Sequence, residues 1–146
     1  MKIFANPKEP AVKKLLTESD LPPADITAQH LTHFFGYGYG PELGGVVGLE
    51  LYGGVALLRS LAVSPERRKS GLGSRLVAHA EHYAQDRGVQ SLYLLTTTAE
   101  SFFQRLGYAR IPRAEAPAAI KATQEFSGIC PASSAFMVKH LLMASE

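Results

Sequence analysis

The apolar positions of the chain change period along its length, and each change marks an element. Ala11, Val12, Leu15 and Leu16 recur at helical spacing while Lys13, Lys14 and Glu18 fall on the other side, so a helix is expected after Asn6-Pro7. Lys2 to Ala5, before it, reads as a short strand, and Leu21-Pro22-Pro23-Ala24-Asp25 breaks the helix. His33 to Tyr39 and Val46 to Tyr52 read as strands, with a turn at Pro41-Glu42 between them. Gly53-Gly54 reads as a two-residue hairpin turn, since positive φ costs glycine nothing. Val55 to Val63 is then the longest apolar strand signal, interrupted by Arg59 and Ser60 and stopped by Ser64-Pro65-Glu66. A helix from about Gly73 to Arg87 carries Leu72, Leu76, Ala80, Tyr83 and Ala84 on one stripe, and Gly88 caps it. Ser91 to Thr98 reads as a buried strand and Ala99 to Leu106 as a short helix ended by Gly107. A strand at Tyr108 to Ile111, a helix at Pro117 to Thr123 and a last strand at Ala135 to Leu141 complete the pattern. Helices interleaved with strands in this order predict an α/β (α+β) fold, with a mixed, mostly antiparallel sheet flanked by helices.

Composition narrows the reading. A chain of 146 residues is expected to be a single domain over 1–146, because two independent cores would each be too small. Fifteen basic against thirteen acidic side chains give a net charge of +2, which argues against a basic nucleic-acid arm or an acidic tail. One cysteine excludes a disulfide framework and a cysteine-rich metal site, and the five histidines lack zinc-site spacing. No metal is therefore expected. No segment has the apolar length of a transmembrane helix, and Met1 to Pro7 lacks the apolar stretch of a signal peptide. The expectation is a cytoplasmic chain that engages neither nucleic acid nor membrane.

Between the longest strand and the long helix lies Arg68-x-x-Gly71-x-Gly73, preceded by Arg67 and interrupted by Lys69. Glycines let the backbone approach a ligand closely, the first helical turn presents unpaired N–H groups, and the helix dipole favours negative charge there. The pattern alone is weak, and a turn with solvated charges is its bland alternative. Gly73 is followed by Ser74-Arg75, not by the Gly-Lys-Ser/Thr of a P-loop. A dinucleotide fingerprint is equally unsuited, since the loop is mid-chain and has only Gly71 and Gly73.

The stretch Leu57-Leu58-Arg59-Ser60-Leu61-Ala62-Val63-Ser64-Pro65-Glu66-Arg67-Arg68-Lys69-Ser70-Gly71-Leu72-Gly73 resembles the central motif of the GNAT N-acetyltransferases. Ala99-x-x-Phe102-Phe103-x-x-Leu106-Gly107-Tyr108 is similar to the family's later motif, in the right order along the chain. The resemblance implies a GNAT acyltransferase fold that binds acetyl-coenzyme A and acetylates a primary amine. It implies pantetheine contacts at Leu61, Ala62 and Val63, and pyrophosphate contacts over Arg68, Lys69, Ser70, Gly71, Leu72, Gly73 and Ser74. Phe102, Phe103 and Arg105 are implied beside the cofactor's thiol and nucleotide ends. Two positions depart from the pattern: Thr96 stands where many members have asparagine, and Phe103 where many have the tyrosine that protonates the leaving thiolate. Arg59 to Val63, Leu95 to Glu100, Thr123 to Phe126 and Cys130 to Ser134 further resemble the acetyltransferases found with bacterial arsenic-resistance genes. That branch implies an amino acid, or a toxic glutamate-like analogue, as acceptor. A homodimer is implied by the same resemblance to the superfamily.

Acetyl transfer needs a neutral amine, so a base is expected near the acceptor. The histone-acetylating branch has a glutamate six residues before the valine that ends the central strand; here that position is Leu57. With a two-residue turn at Gly53-Gly54, Glu50 pairs with Leu57 and shares its face, as does Arg59 two residues along. Glu50 is thus the candidate base and Arg59 the candidate receptor for an acceptor carboxylate. A structural ion pair between the two is the competing reading, and a register slip of one residue would separate them. Tyr108 is weighed as an acid for the leaving thiolate against core packing, with packing expected, and Tyr37 and Tyr39 as lining of a substrate cleft against core or sheet surface, with the latter expected. Arg113, Thr123 and Glu125 are weighed as a substrate lid against solvated loop residues. His79 and His82 are assigned no role. Other readings are an acetyl-coenzyme A sensor without chemistry, a protein or peptide acetyltransferase, and metalloid binding through Cys130, for which a single thiol is a poor ligand.

Overall fold

Pro10 lies in the first turn of helix α1 (Glu9–Glu18), where a missing N–H costs nothing, and the helix buries Ala11, Val12, Leu15 and Leu16 as its spacing predicts. The structure, a computed structural model, describes residues 2–21, 25–39, 42–68, 70–129 and 134–141. The predicted Pro22-Pro23-Ala24 break, the turn at Pro41, Lys69 and Cys130 to Ser133 fall wholly or largely outside the described residues. Among the described residues seven strands form one mixed sheet, in the order β1-β2-β3-β4-β5-β7-β6. The chain divides into two compact units, Met1–Glu50 with Leu58–His82, and Leu51–Leu57 with Tyr83–Glu146.

The first unit holds β1 (Ile3–Ala5), α1, the short α2 (Ala28–Leu31) and β2 (Phe34–Tyr39). It also holds most of β3 (Glu42–Tyr52), the second half of β4 (Val55–Val63) and most of α3 (Leu72–Asp86). β1 runs antiparallel to β2, with Phe4 opposite Gly36, and β2 antiparallel to β3, with Phe34 opposite Gly48. Val12, Leu15 and Leu16 of α1 pack with Ile26, Leu31, Phe34, Val46 and Ala62 into one core. β3 starts at Glu42, four residues before the expected Val46, and includes Gly44 and Gly45. A Cβ at Gly45 would meet Leu76 at 2.8 Å and Leu72 at 3.0 Å, so the glycine lets α3 lie close on the strand. A Cβ at Gly48 would overlap the fully buried Phe34 ring. Gly48→Ala is expected to cost about 1–3 kcal/mol through overpacking. The check is the urea midpoint; an unchanged midpoint would mean that the ring moves aside freely.

In the second unit, β4 runs parallel to β5 (Ser91–Thr96), with Leu57 opposite Tyr93. β5 pairs antiparallel with β7 (Ala135–His140), and β7 with the two-residue β6 (Ala109–Arg110). Leu57, Tyr93, Ala116, Ile120, Phe136 and Val138 form its core, with the Tyr93 and Phe136 rings stacked at 5.6 Å. β5 ends two residues before the expected Thr98 because the Thr96 hydroxyl accepts the Ala99 N–H at 3.0 Å, turning the chain into α4 (Glu100–Arg105). The expected helix at Pro117 to Thr123 is present as α5 (Ala118–Lys121), and a π-helical turn over Glu125–Ile129 follows it. Among the described residues no helix is long and apolar enough to cross a membrane.

Candidate active site

Gly53 takes φ of 71° in the turn between β3 and β4, as the hairpin reading requires. The Glu50 and Arg59 side chains meet on one face of these strands: Arg59 donates through Nη1 to Glu50 Oε2 at 2.7 Å. A second carboxylate completes the cluster. Arg59 grips Asp25 with both ends of its fork, Nη1 to Oδ2 at 2.5 Å and Nη2 to Oδ1 at 2.6 Å. Its Nε donates to the Ser60 hydroxyl at 3.0 Å. Ser60 has φ of 59°, in the left-handed region that few non-glycine residues adopt, and so departs from regular strand geometry inside β4. The side chains of Arg59 and Asp25 are 0% and 2% exposed, while that of Glu50 is 10% exposed and therefore the more open of the two carboxylates.

His30 lies beside Glu50, its Nε2 3.9 Å from Glu50 Oε2. Its place is set by the start of α2. The Thr27 side chain accepts the His30 backbone N–H while His30 Nδ1 accepts the Thr27 backbone N–H at 3.1 Å, a reciprocal cap. Nδ1 is thus turned toward the cap, and Nε2 is the ring nitrogen that faces Glu50. Burial pushes the Asp25 carboxyl up, but hydrogen bonds and charge from Arg59, with a smaller contribution from His30, outweigh it and hold the group below the ordinary aspartate value. Oxygen and nitrogen atoms of Asp25, His30 and Glu50 all lie within 4.8 Å of one another. The cation already paired with both carboxylates there is the Arg59 guanidinium.

The glycine loop also lies in the first unit. Gly71 has φ of 87°, with no atom of the described residues beyond its chain neighbours within 4 Å of where its Cβ would be, and α3 begins at the next residue. Arg68 Nε donates to the Val63 carbonyl at 3.1 Å, tying the loop to the end of β4. The Ser70 hydroxyl donates to the Arg67 carbonyl at 2.5 Å. Arg67 and Arg75 both lie against the Tyr37 ring, 5.4 and 5.5 Å from its centre, so three arginines gather at the start of α3. Leu72 and Ala62 are buried, so they offer a ligand only backbone; Leu61, Val63 and Gly73 are half-buried and Ser74 is exposed. Lys69 lies outside the described residues.

In the second unit, Phe102 and Phe103 meet edge to face at 5.1 Å on α4, and Arg105 is exposed. Phe103 is buried and packs at 5.6 Å against Tyr108, which is itself 2% exposed and core. Arg113 donates to the Ser134 carbonyl at 3.2 Å and lies over Phe126, while Thr123 and Glu125 are buried rather than solvated.

The acetyltransferase (GNAT) family profile matches residues 5–108. This chain belongs to the GNAT family. An uncharacterised N-acetyltransferase of Chlorobaculum tepidum is 35% identical over 86 residues, covering 58% of this GNAT chain and 55% of the relative. The amino-acid acetyltransferase of Pseudomonas putida is 38% identical over 64 residues, which are 40% of this chain and 15% of that one. The chain thus spans about half the length of the first relative and a small part of the second. Among solved structures, N-acetylglutamate synthase from Neisseria gonorrhoeae, complexed with coenzyme A and L-arginine, superposes with a TM-score of 0.80. That match has 22% identity and covers 96% of this GNAT chain and 33% of the other, so it speaks to the fold alone.

Asp25 and His30 are the site residues that sequence reasoning missed. Thr27-x-x-His30 has the spacing of a capping box, and that signal was available for His30. Asp25 had no local signal, since its partner lies 34 residues further on.

Proposed function

We propose that this chain is a single-domain N-acetyltransferase that moves acetyl from acetyl-coenzyme A to the amine of a small molecule, an amino acid or a glutamate-like analogue. The observation that carries the reading is the Glu50 carboxylate, partly open and paired with a buried arginine, in a chain of the GNAT family. The glycine loop fits the anionic half of the cosubstrate. Its open face at Gly71, the amide-bearing start of α3 and the arginines around it are what a pyrophosphate needs. Arg68, Ser70, Gly71, Gly73 and Ser74 would hold that group, with Lys69, and the backbone of Leu61 to Val63 the pantetheine arm. Phe102, Phe103 and Arg105 are assigned to the same cosubstrate by resemblance.

When bound, acetyl-coenzyme A supplies acetyl as a thioester, so transfer makes an amide at the acceptor nitrogen and frees a thiol. Glu50 takes the proton of the acceptor's ammonium, directly or through one water. Arg59 holds Glu50 in place. It receives a carboxylate of the acceptor only where that group replaces Asp25 on its fork. Phe103 carries no acidic proton, so the thiolate takes its proton from water or another group. The amino-acid acceptor is supported by the names of the relatives and by the branch resemblance. A role in arsenic resistance, a cytoplasmic location and a homodimer are carried by the resemblance as parts of the same proposal.

Thermal unfolding with and without acetyl-coenzyme A tests the first half. Ligand at about 100 times its dissociation constant is expected to stabilise the chain by about 2.7 kcal/mol. Gly71→Glu, which sets a negative side chain on strained backbone at the cradle, is expected to abolish the shift. Thiol release in the presence of glutamate and other amino acids tests the second half. A thermal shift with no release from any amine would identify a sensor, and release only with peptides would identify a protein acetyltransferase.

A further inference from the structure

We propose that Asp25 occupies a carboxylate-binding site on Arg59 as a stand-in, and that the α-carboxylate of an amino-acid acceptor displaces it to bind there, which rests on the reading of the chain as an amino-acid acetyltransferase. The Nη1–Nη2 edge of a guanidinium matches a carboxylate through two parallel hydrogen bonds. Asp25 takes that edge of Arg59 at 2.5 and 2.6 Å. The carboxylate of a free amino acid has the same shape, charge and acceptor geometry. The site is also built without Asp25. Arg59 Nε donates to the Ser60 hydroxyl at 3.0 Å, and Nη1 donates to Glu50 at 2.7 Å as well. Ser60 lies in β4 and Glu50 in β3, so both anchors belong to the sheet. Whatever else these side chains touch, the two contacts hold the guanidinium while its outer edge changes partner.

Asp25 is attached differently. It lies in no helix or strand, two residues before the Thr27 cap of α2. Its side chain is 2% exposed, yet the residue as a whole is only half-buried, so its main chain meets solvent. A retreat of that turn opens the edge of Arg59 without breaking a strand ladder. The departing aspartate regains water and the incoming carboxylate keeps the guanidinium paired, so the exchange strands no buried charge. It also places the amine. Asp25 and Glu50 both accept from Nη1, and a carboxylate oxygen of each lies within 4.8 Å of the other. In an α-amino acid a single carbon separates the carboxylate from the nitrogen. A carboxylate in the place of Asp25 therefore brings its ammonium beside Glu50, the proposed base. An amine without that carboxylate has no claim on the fork and leaves Asp25 there, so the stand-in screens acceptors.

The first test needs no turnover. Asp25→Ala is expected to lower the unfolding midpoint of the full chain. Sodium acetate is expected to restore it where sodium chloride of equal ionic strength does not, by mass action on the vacated edge. The parent, whose edge is filled, is expected to show no preference for acetate, and Asp25→Ala combined with Arg59→Met is expected to lose the recovery. The second test is steady-state kinetics with glutamate and with its α-amide. KM for glutamate is expected to fall about tenfold in Asp25→Ala, the factor by which a site open about one-tenth of the time weakens binding. KM for the α-amide is expected not to fall. Where Asp25→Ala does not fold, the parent decides: glutarate is expected to compete with glutamate, and glutaramide is not. No preference for acetate in Asp25→Ala, or recovery that persists without Arg59, overturns the proposal. So does a KM for glutamate that stays or rises in Asp25→Ala, or a parent that glutarate fails to inhibit. Thiol release from no amine sinks the acetyl-transfer reading instead, and the acetate measurement still decides whether the fork is a carboxylate site.

Discussion

Glu50→Gln is expected to lower turnover by about 10²–10⁴-fold, the usual contribution of a positioned general base. Acetyl-coenzyme A binding should remain. The substitution preserves the shape of the side chain, and the amide oxygen can still accept from Arg59 Nη1, now 2.7 Å from Glu50 Oε2. Asp25 and Arg59 stay paired through both fork nitrogens, so no buried cation is abandoned and the unfolding midpoint should move little. What is lost is the group proposed to accept a proton from the acceptor's ammonium. The measurement is kcat against pH, beside the acetyl-coenzyme A thermal shift as a control for folding. Undiminished turnover with an unchanged profile would remove Glu50 from the chemistry and leave it a structural partner of Arg59.

Arg59→Met is expected to have the largest effect on stability, about 3–5 kcal/mol, since it leaves buried carboxylates without their cation. The side chain it removes is 0% exposed and contacts Asp25, Glu50 and Ser60. A methionine fills much of the space but answers neither negative charge. Removing Asp25 together with Arg59 should cost less than removing Arg59 alone, and that non-additivity is the sign of a coupled pair. Acid acts on the same cluster. The Asp25 carboxyl is held below its ordinary value in the folded chain, so its stabilising contribution is full above the unfolded value and is lost as pH falls through the folded one. The stability of the parent should therefore decline as pH falls below the ordinary aspartate range, and that part of the decline should be missing from the double variant. Urea midpoints followed from neutral to acidic pH measure both effects. An Arg59→Met midpoint within experimental error of the parent's would mean that water reaches the carboxylates and the cluster is not closed.

The hairpin, the central strand and the long helix were legible because their signals are local. Val55 to Val63 is an apolar run interrupted only by Arg59 and Ser60 and stopped by Ser64-Pro65-Glu66, Gly53-Gly54 is a turn wherever it stands between apolar runs, and α3 carries its stripe on its own surface. The same locality exposed Glu50 and Arg59, two charges interrupting apolar strands at a spacing that puts them on one face. Asp25 was hidden for the opposite reason. In the sequence it follows two prolines and reads as part of a break, and only folding brings it to an arginine 34 residues away. The early start of β3 was obscured by Gly44 and Gly45, which weaken a strand signal locally and are used for close approach of Arg67, Leu72 and Leu76. α2 is one turn long and too short to show a period. The π-helical turn at Glu125–Ile129 has no recognisable spacing.

The ordering of charge around Arg59 also has a bearing on descent. Asp25 is held by Arg59 at both fork nitrogens, so a change at Arg59 alone leaves a buried carboxylate without that cation, and lineages that lose Arg59 should lose Asp25 with it. Residue 50 is under a different constraint. Under the proposed mechanism, a neutral side chain there is expected to end proton transfer while leaving Asp25 and Arg59 paired. If Glu50 is the base proposed above, the easiest path of decay for such a gene begins there, and its first product is expected to be a well-folded protein that still captures acetyl-coenzyme A and no longer spends it.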